Sequence, residues 1–214
     1  MIRLELDKLK KELPFLPEGE PNLPENVAHS SVVMPVFQKN GQDGFLLQKR
    51  NPNLASHPGQ ISFPGGVKDP EDKDLLVTAL REWEEEMGAP DKELSVIGNY
   101  RGQLTHTGFH ITPFLAKYSG DFKFEFNPEE VERIIILELD RLWEAPFYSI
   151  KGRRKPDSPL LEVFYFDIDE GLLWGATARI IVDFLREHAG FDRSPILRTP
   201  NLSSAPFLDV KKPE

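Results

Sequence analysis

The sequence predicts a mixed α/β fold in which a mixed sheet is covered by helices. Two observations carry the prediction: strand-like segments recur through most of the chain, and two helix-length stretches with apolar stripes are set among them. Residues 1–13 read as a short helix with Leu6, Leu9 and Leu13 on one side. Pro14, Pro17, Pro21 and Pro24 then form a stiff connector. Segments 30–38 and 44–49 read as strands joined by a turn at Asn40-Gly41, a hairpin signal. Segment 60–63 is apolar and strand-like and leads into Gly65 and Gly66. A helix comes next: Pro70, Asp72 and Asp74 are start signals before Leu75, and Gly88 with Pro90 stops it. Between them Leu76, Leu80, Trp83 and Met87 recur at spacings of 4, 3 and 4, an apolar stripe that requires a core. Further strands are expected at 94–104, 109–117, 134–139 and 160–166. A last helix near 174–188 places Trp174, Ala178, Ile181 and Leu185 on one face before Gly190. The tail from Ser194, punctuated by Pro195, Pro200, Pro206 and Pro213, reads as irregular. The expected division is an N-terminal helix and connector over 1–28, one main domain over 29–192 and a tail over 193–214.

Composition bounds the function. With 214 residues, 39% hydrophobic and 29% charged, the chain has material for a proper core. Its net charge of −9 argues against a general nucleic-acid binder, which needs surplus Lys and Arg. It does not argue against a small phosphorylated substrate, because bound cations reverse the sign locally. Zero cysteines remove disulfides, thiolate metal ligands and a Cys nucleophile. No segment approaches the roughly 20 apolar residues that span a bilayer. The charged, amphipathic start lacks a signal-peptide core, and the C-terminus carries no targeting address, so a cytoplasmic protein with no membrane partner is expected. The apolar side of the first helix must dock on the domain or on a second subunit, and a homodimer is the commonest such assembly.

Chemistry concentrates in the first long helix. Glu82, Glu84, Glu85 and Glu86 put four carboxylates within five residues. At ~100° per residue, Glu82, Glu85 and Glu86 share one face opposite the apolar stripe, while Glu84 points about 160° away from Glu86 and reads as solvated. Like charges so placed repel by a few tenths of a kcal/mol per pair. A divalent cation turns that repulsion into a binding site, because hard cations take oxygen ligands. The competing reading is a plain solvated acidic face; the preceding glycines and Arg81 count against it.

The run from Gly66 through Asp72, Arg81, Glu82, Trp83, Glu85, Glu86 and Gly88 resembles the Nudix box. It departs from that pattern at Asp72, where Glu is usual, in having eight residues rather than seven between Asp72 and Arg81, and at the small Ala89. The extra residue is similar to boxes of the coenzyme A diphosphatase branch. So are Leu46–Asn51, His57–Gly66, Thr107–Phe114 and Leu173–Ile180. Gln48, Asn51 and Ala55 stand where that branch usually has Thr, Ser or Ala, and Arg. An arginine at position 55 would hold a substrate phosphate.

The resemblance implies an α/β/α sandwich and metal-dependent hydrolysis of a nucleoside diphosphate derivative. The favoured substrate is coenzyme A; ADP-ribose or a nucleotide sugar is the alternative, and a catalytically dead ligand-sensing module is a third. The implied metal ligands are Glu82 and Glu86, with Glu85 shared and the Gly65 carbonyl added, for Mg²⁺ or Mn²⁺. Arg81 would orient a carboxylate, making Arg81, Glu82, Glu85 and Glu86 the catalytic set. Arg50, Lys49, His57 and Gly66 are the implied substrate contacts, Arg50 being the first candidate for the coenzyme A 3′-phosphate ahead of Lys49, Arg101 and the basic loop 151–155. Glu129 and Glu130 are alternative bases. His29, His106, His110 and His188 show no ligand spacing, and Trp174 is expected to pack under the sheet.

Overall fold

The computed structural model describes residues 2–13, 24, 27–105, 107–152, 160–201 and 206–208. Most of the Pro-rich connector, His106 and the basic positions 153–155 lie outside these. In chain order the elements are α1 (Leu6–Glu12), β1 (Ala28–Lys39), β2 (Gln42–Arg50), β3 (Ile61–Ser62), β4 (Gly65–Val67) and α2 (Leu75–Met87). Then come β5 (Leu94–Asn99), β6 (Gln103–Leu104), β7 (Phe109–Tyr118), β8 (Val131–Glu138), α3 (Leu139–Glu144) and β9 (Phe147–Gly152). The rest are β10 (Leu161–Ile168), β11 (Gly171–Trp174), α4 (Gly175–His188) and β12 (Ile196–Arg198).

Eight strands form a mixed sheet with the path β3-β2-β1-β7-β5; β4 adds to β1, β6 to β7 and β8 to β2. β1 and β7 run parallel over nine register pairs, while β1 and β2 form the hairpin expected at Asn40-Gly41, both at positive φ. Side-chain alternation along β1 and β2 builds two cores. Val33, Phe37 and Leu46 pack with Leu75, Ala79, Trp83 and Met87 of α2. Met34, Val36, Phe45 and Leu47 face the other way, toward Ile181, Phe184 and Leu185 of α4. Helices thus cover both faces of the large sheet, as expected.

The second face also carries something the sequence did not announce. β11-β10-β9-β12 make a separate four-stranded sheet, and its Phe147, Phe164 and Phe166 enter the α4 core. The tail expected to be irregular contributes β12, parallel to β9. Its three residues are all exposed, so no apolar alternation marked it as a strand. The strand expected over 134–139 begins at Val131 and gives way to α3 at Leu139, and the one over 94–104 is interrupted at 100–102. Trp174 closes β11 and caps α4 rather than opening the helix. It stacks on Tyr165 at 6.0 Å.

The N-terminal segment docks on its own domain. Leu4 and Leu9 are buried in the α4-side core, with Ile2, Leu6 and Leu13 partly covered. The backbone joins as well: Leu4 N–H donates to the buried Asp43 at 2.7 Å and Ile2 N–H to Asp140 at 2.9 Å. No helix among the described residues is long and apolar enough to cross a membrane.

Candidate metal and diphosphate site

Local chemistry sets α2 in place. Asp74 caps it by accepting the Val77 N–H at 2.9 Å, and Gly88 ends it in the left-handed conformation at φ 61°. Ser31 Oγ on β1 donates to the Leu75 carbonyl at 2.7 Å, anchoring the helix start to the sheet. Buried residues of α2 are Leu75, Thr78, Ala79, Trp83, Glu86 and Met87; Leu76 and Leu80 are only partly covered.

The three carboxylates therefore do not share one exposed face, as the wheel suggested. Glu86 is 1% exposed, Glu82 is partly buried and Glu85 is open. β4 is the reason. Gly65 sits so close to β1 that a side chain would strike the Ser31 carbonyl and Val32, and one on Gly66 would strike the Glu82 carboxylate. With only hydrogens there, the chain passes directly against the helix face and covers it.

Glu86 is held from three sides. Its Oε2 accepts from Gln48 Nε2 at 2.6 Å and from the Gly65 N–H at 2.9 Å, and Oε1 lies 3.3 Å from the Arg50 guanidinium. Burial still pushes its carboxyl up to about 7. Burial also raises Glu82, against the lowering effect of Arg81, and the nearby charges of Glu85 and Glu130 add to the rise. Each of the two carboxylates has one guanidinium beside it, yet burial outweighs that pairing in both.

Arg81 is the hub of the exposed side. It grips Asp72 with two hydrogen bonds, at 3.2 and 3.0 Å, and donates to Glu82 and Glu85 at 2.9 Å each. The fork geometry of guanidinium permits this, and lysine would not. The paired guanidinium holds the Asp72 carboxyl down at about 2. Arg81 is therefore no ordinary surface ion pair, and Asp72 does more than start a helix.

Among the described residues no three His, Cys, Asp or Glu side chains already converge as a metal cage. Arg81 occupies Glu82 and Glu85, while Gln48, Gly65 and Arg50 hold Glu86. The donor set still fits a hard divalent cation: all carboxylate oxygens, two of the three groups raised by burial, and no sulfur or imidazole among them.

The remaining expected contacts are placed at various distances from this cluster. Arg50, the first candidate for the 3′-phosphate, ends β2 with its guanidinium 3.3 Å from Glu86. Lys49 lies 3.5 Å from Glu132. His57 is exposed in the turn after β2 at φ 56°, beside exposed Ala55, and its carbonyl accepts from Gln60. Asn51 ties that turn to the 127–130 loop, through Pro128 and Glu130 carbonyls at 2.8 Å each. Arg101 pairs with Glu187 beside Tyr100. Lys151 pairs with Glu162 at 3.3 Å. Glu84 is exposed and accepts the Asp91 N–H at 3.0 Å. Glu84→Gln should change kcat less than twofold and cost under about 1 kcal/mol in a melt; a loss matching that of Glu86→Gln would contradict this geometry.

Gln48, noted in the sequence only as a departure from the usual Thr, was not among the expected site residues, yet it contacts Glu86. Its signal was available: an amide closing the apolar run Phe45-Leu46-Leu47 on a central strand.

A family model described as NUDIX domain matches residues 27–162. An uncharacterized Nudix hydrolase, NudL, of Photorhabdus laumondii is 33% identical over 78% of this chain and 88% of its own length. The protein of that name from Yersinia enterocolitica is 31% identical over 73% and 79%. Among solved structures, a MutT/nudix family protein from Enterococcus faecalis gives a TM-score of 0.49 at 13% identity, over 79% of this chain and 66% of its own.

Proposed function

The chain belongs to the Nudix hydrolase family and acts on a phosphoric anhydride; from that premise we propose that it cleaves coenzyme A, in the cytoplasm, to 4′-phosphopantetheine and adenosine 3′,5′-bisphosphate. The observation that carries the reading is a cluster of four carboxylates, Asp72, Glu82, Glu85 and Glu86, sharing two guanidiniums, Arg81 and Arg50, with Glu82 and Glu86 raised by burial against β4. Mg²⁺ or Mn²⁺ at these groups would neutralise the diphosphate oxygens and acidify the attacking water. Glu82 and Glu86 are the main ligands in this reading, with Glu85 and the Gly65 carbonyl completing the set. Arg81 keeps Glu82 and Glu85 aligned through the Asp72 clamp. Glu130, whose charge reaches Glu82, is better placed than Glu129 to take a proton from the water. The leaving phosphate needs little acid help, so positioning and electrostatics do most of the catalysis.

Support for coenzyme A comes from the four sequence segments similar to that branch. Ala55, exposed and uncharged, favours the alternative of ADP-ribose or another nucleoside diphosphate derivative. Arg50, drawn to Glu86, belongs at the diphosphate in this reading, leaving Lys49, Arg101 and Lys151 for the 3′-phosphate. A lost charged hydrogen bond is worth roughly 1.5–3 kcal/mol, about ten- to more than a hundredfold in kcat/KM. Arg50→Ala is therefore expected to lower activity on coenzyme A and dephospho-coenzyme A by similar factors of that size. The deciding experiment is a panel of coenzyme A, dephospho-coenzyme A and ADP-ribose with each metal. Coenzyme A should give the highest kcat/KM. A better rate on either of the others would reject the substrate and leave the Nudix hydrolase.

A further inference from the structure

Position 48 comes after three buried apolar residues on β2, and its side chain is fully buried. An amide there is costly unless its polar atoms find partners. One does: Nε2 donates to Glu86 Oε2 at 2.6 Å, among the shortest hydrogen bonds in the site. The other does not: among the described residues Oε1 is buried with no partner, and so is Arg50 Nε. Positions 48 and 50 share a face of the strand, so an unused acceptor and an unused donor flank the same carboxylate. Packing alone gives no reason to keep such an amide, because leucine or methionine fills similar volume without an orphaned oxygen.

The bond also has a direction. Gln48 and the Gly65 N–H both engage Oε2, which leaves Oε1 as the oxygen facing Arg50. An ionised Glu86 fixes the amide in turn, since only the NH₂ end donates. Gln48 and the Gly65 N–H together hold Oε2, so the carboxylate is oriented with Oε1 toward Arg50.

We propose that Gln48 is a positioning residue that fixes Glu86 for metal binding, a role that rests on the Nudix reading given above. Partners that orient a ligating side chain typically change metal affinity or activity about 10–100-fold when removed. The test is Mn²⁺ binding by calorimetry on the full chain, for the parent, Gln48→Leu and Gln48→Met, with circular dichroism and melting curves alongside. Both variants should melt cooperatively and bind Mn²⁺ about 10–100-fold more weakly, with kcat lowered and substrate KM within about threefold of the parent. A folded variant binding Mn²⁺ within twofold of the parent overturns the proposal. Glu86→Gln is the control for the reading beneath it. If that variant binds Mn²⁺ as tightly as the parent, the metal assignment fails; if it loses binding while the Gln48 variants keep it, only the positioning role fails. The unmutated protein gives a second measure that no misfolding can confuse. The Gln48 side-chain amide, read by nitrogen–proton correlation, should lie far downfield and exchange slowly. An amide exchanging like a free side chain overturns the proposal.

Discussion

Glu86→Gln is expected to lower kcat by about three orders of magnitude while leaving the fold intact. Charge stabilisation through a metal ligand is worth several kcal/mol in the transition state, and each 1.36 kcal/mol is tenfold in rate. The stability side comes from burial. Glu86 has a carboxyl raised to about 7 from an ordinary 4.5. A raised carboxyl favours the folded state below its unfolded value, and that contribution disappears as pH climbs through the folded one. In metal-free protein at pH 8 the ionised group is thus a burden on the fold. Glu86→Gln should melt at or above the parent temperature there, and the two curves should draw together toward pH 5. Calorimetric melts across that range, beside a turnover assay, check both halves. A variant that is inactive because it unfolds would contradict the expectation.

Arg81→Ala should damage both activity and stability. The substitution leaves Asp72, 6% exposed, without its clamp and releases Glu82 and Glu85 to repel each other. Losing a charged hydrogen-bonded partner costs roughly 1.5–3 kcal/mol, which is roughly 3–12 °C in melting temperature for a chain of this size. Turnover should fall about a hundredfold, because both carboxylates lose their alignment. Asp72→Asn should reproduce most of the melting loss and less of the turnover loss, since Arg81 keeps its bonds to Glu82 and Glu85. The Asp72 carboxyl, lowered to about 2 from 3.8, adds stability above its unfolded value and loses it as pH falls through the folded one. The gap in stability between parent and Arg81→Ala should therefore narrow below pH 4. An unchanged gap at pH 2.5 would mean that Asp72 is not the partner that matters.

The helix that carries the site was legible because its signals are local. Asp74 caps the residues directly after it, Gly88 accepts the left-handed turn that stops the helix, and Trp83 and Met87 set the buried stripe. The glycine pair before the helix, and Arg81 and the acidic positions on it, lie close in sequence, so their spacing sufficed to point to the Nudix family. The β1–β2 hairpin was legible at Asn40-Gly41 for the same reason.

Elements defined by distant partners were not legible. β12 is three exposed residues that become a strand, among the described residues, by pairing with β9, 48 residues earlier in the chain. The pairing of Arg50 with Glu86 had no local signal either, because the two are 36 residues apart.

By itself the sequence determined the site's chemistry: oxygen donors on one helix, a guanidinium to order them and glycines to admit a close neighbour. Only the tertiary structure decided how those donors differ. β4 passes against α2 at Gly65 and Gly66, and β2 brings Gln48 and Arg50 to the same point, so Glu86 is enclosed while Glu85 stays in water. Helical phase is set by neighbours a few residues apart, whereas burial depends on which strands arrive from elsewhere in the chain.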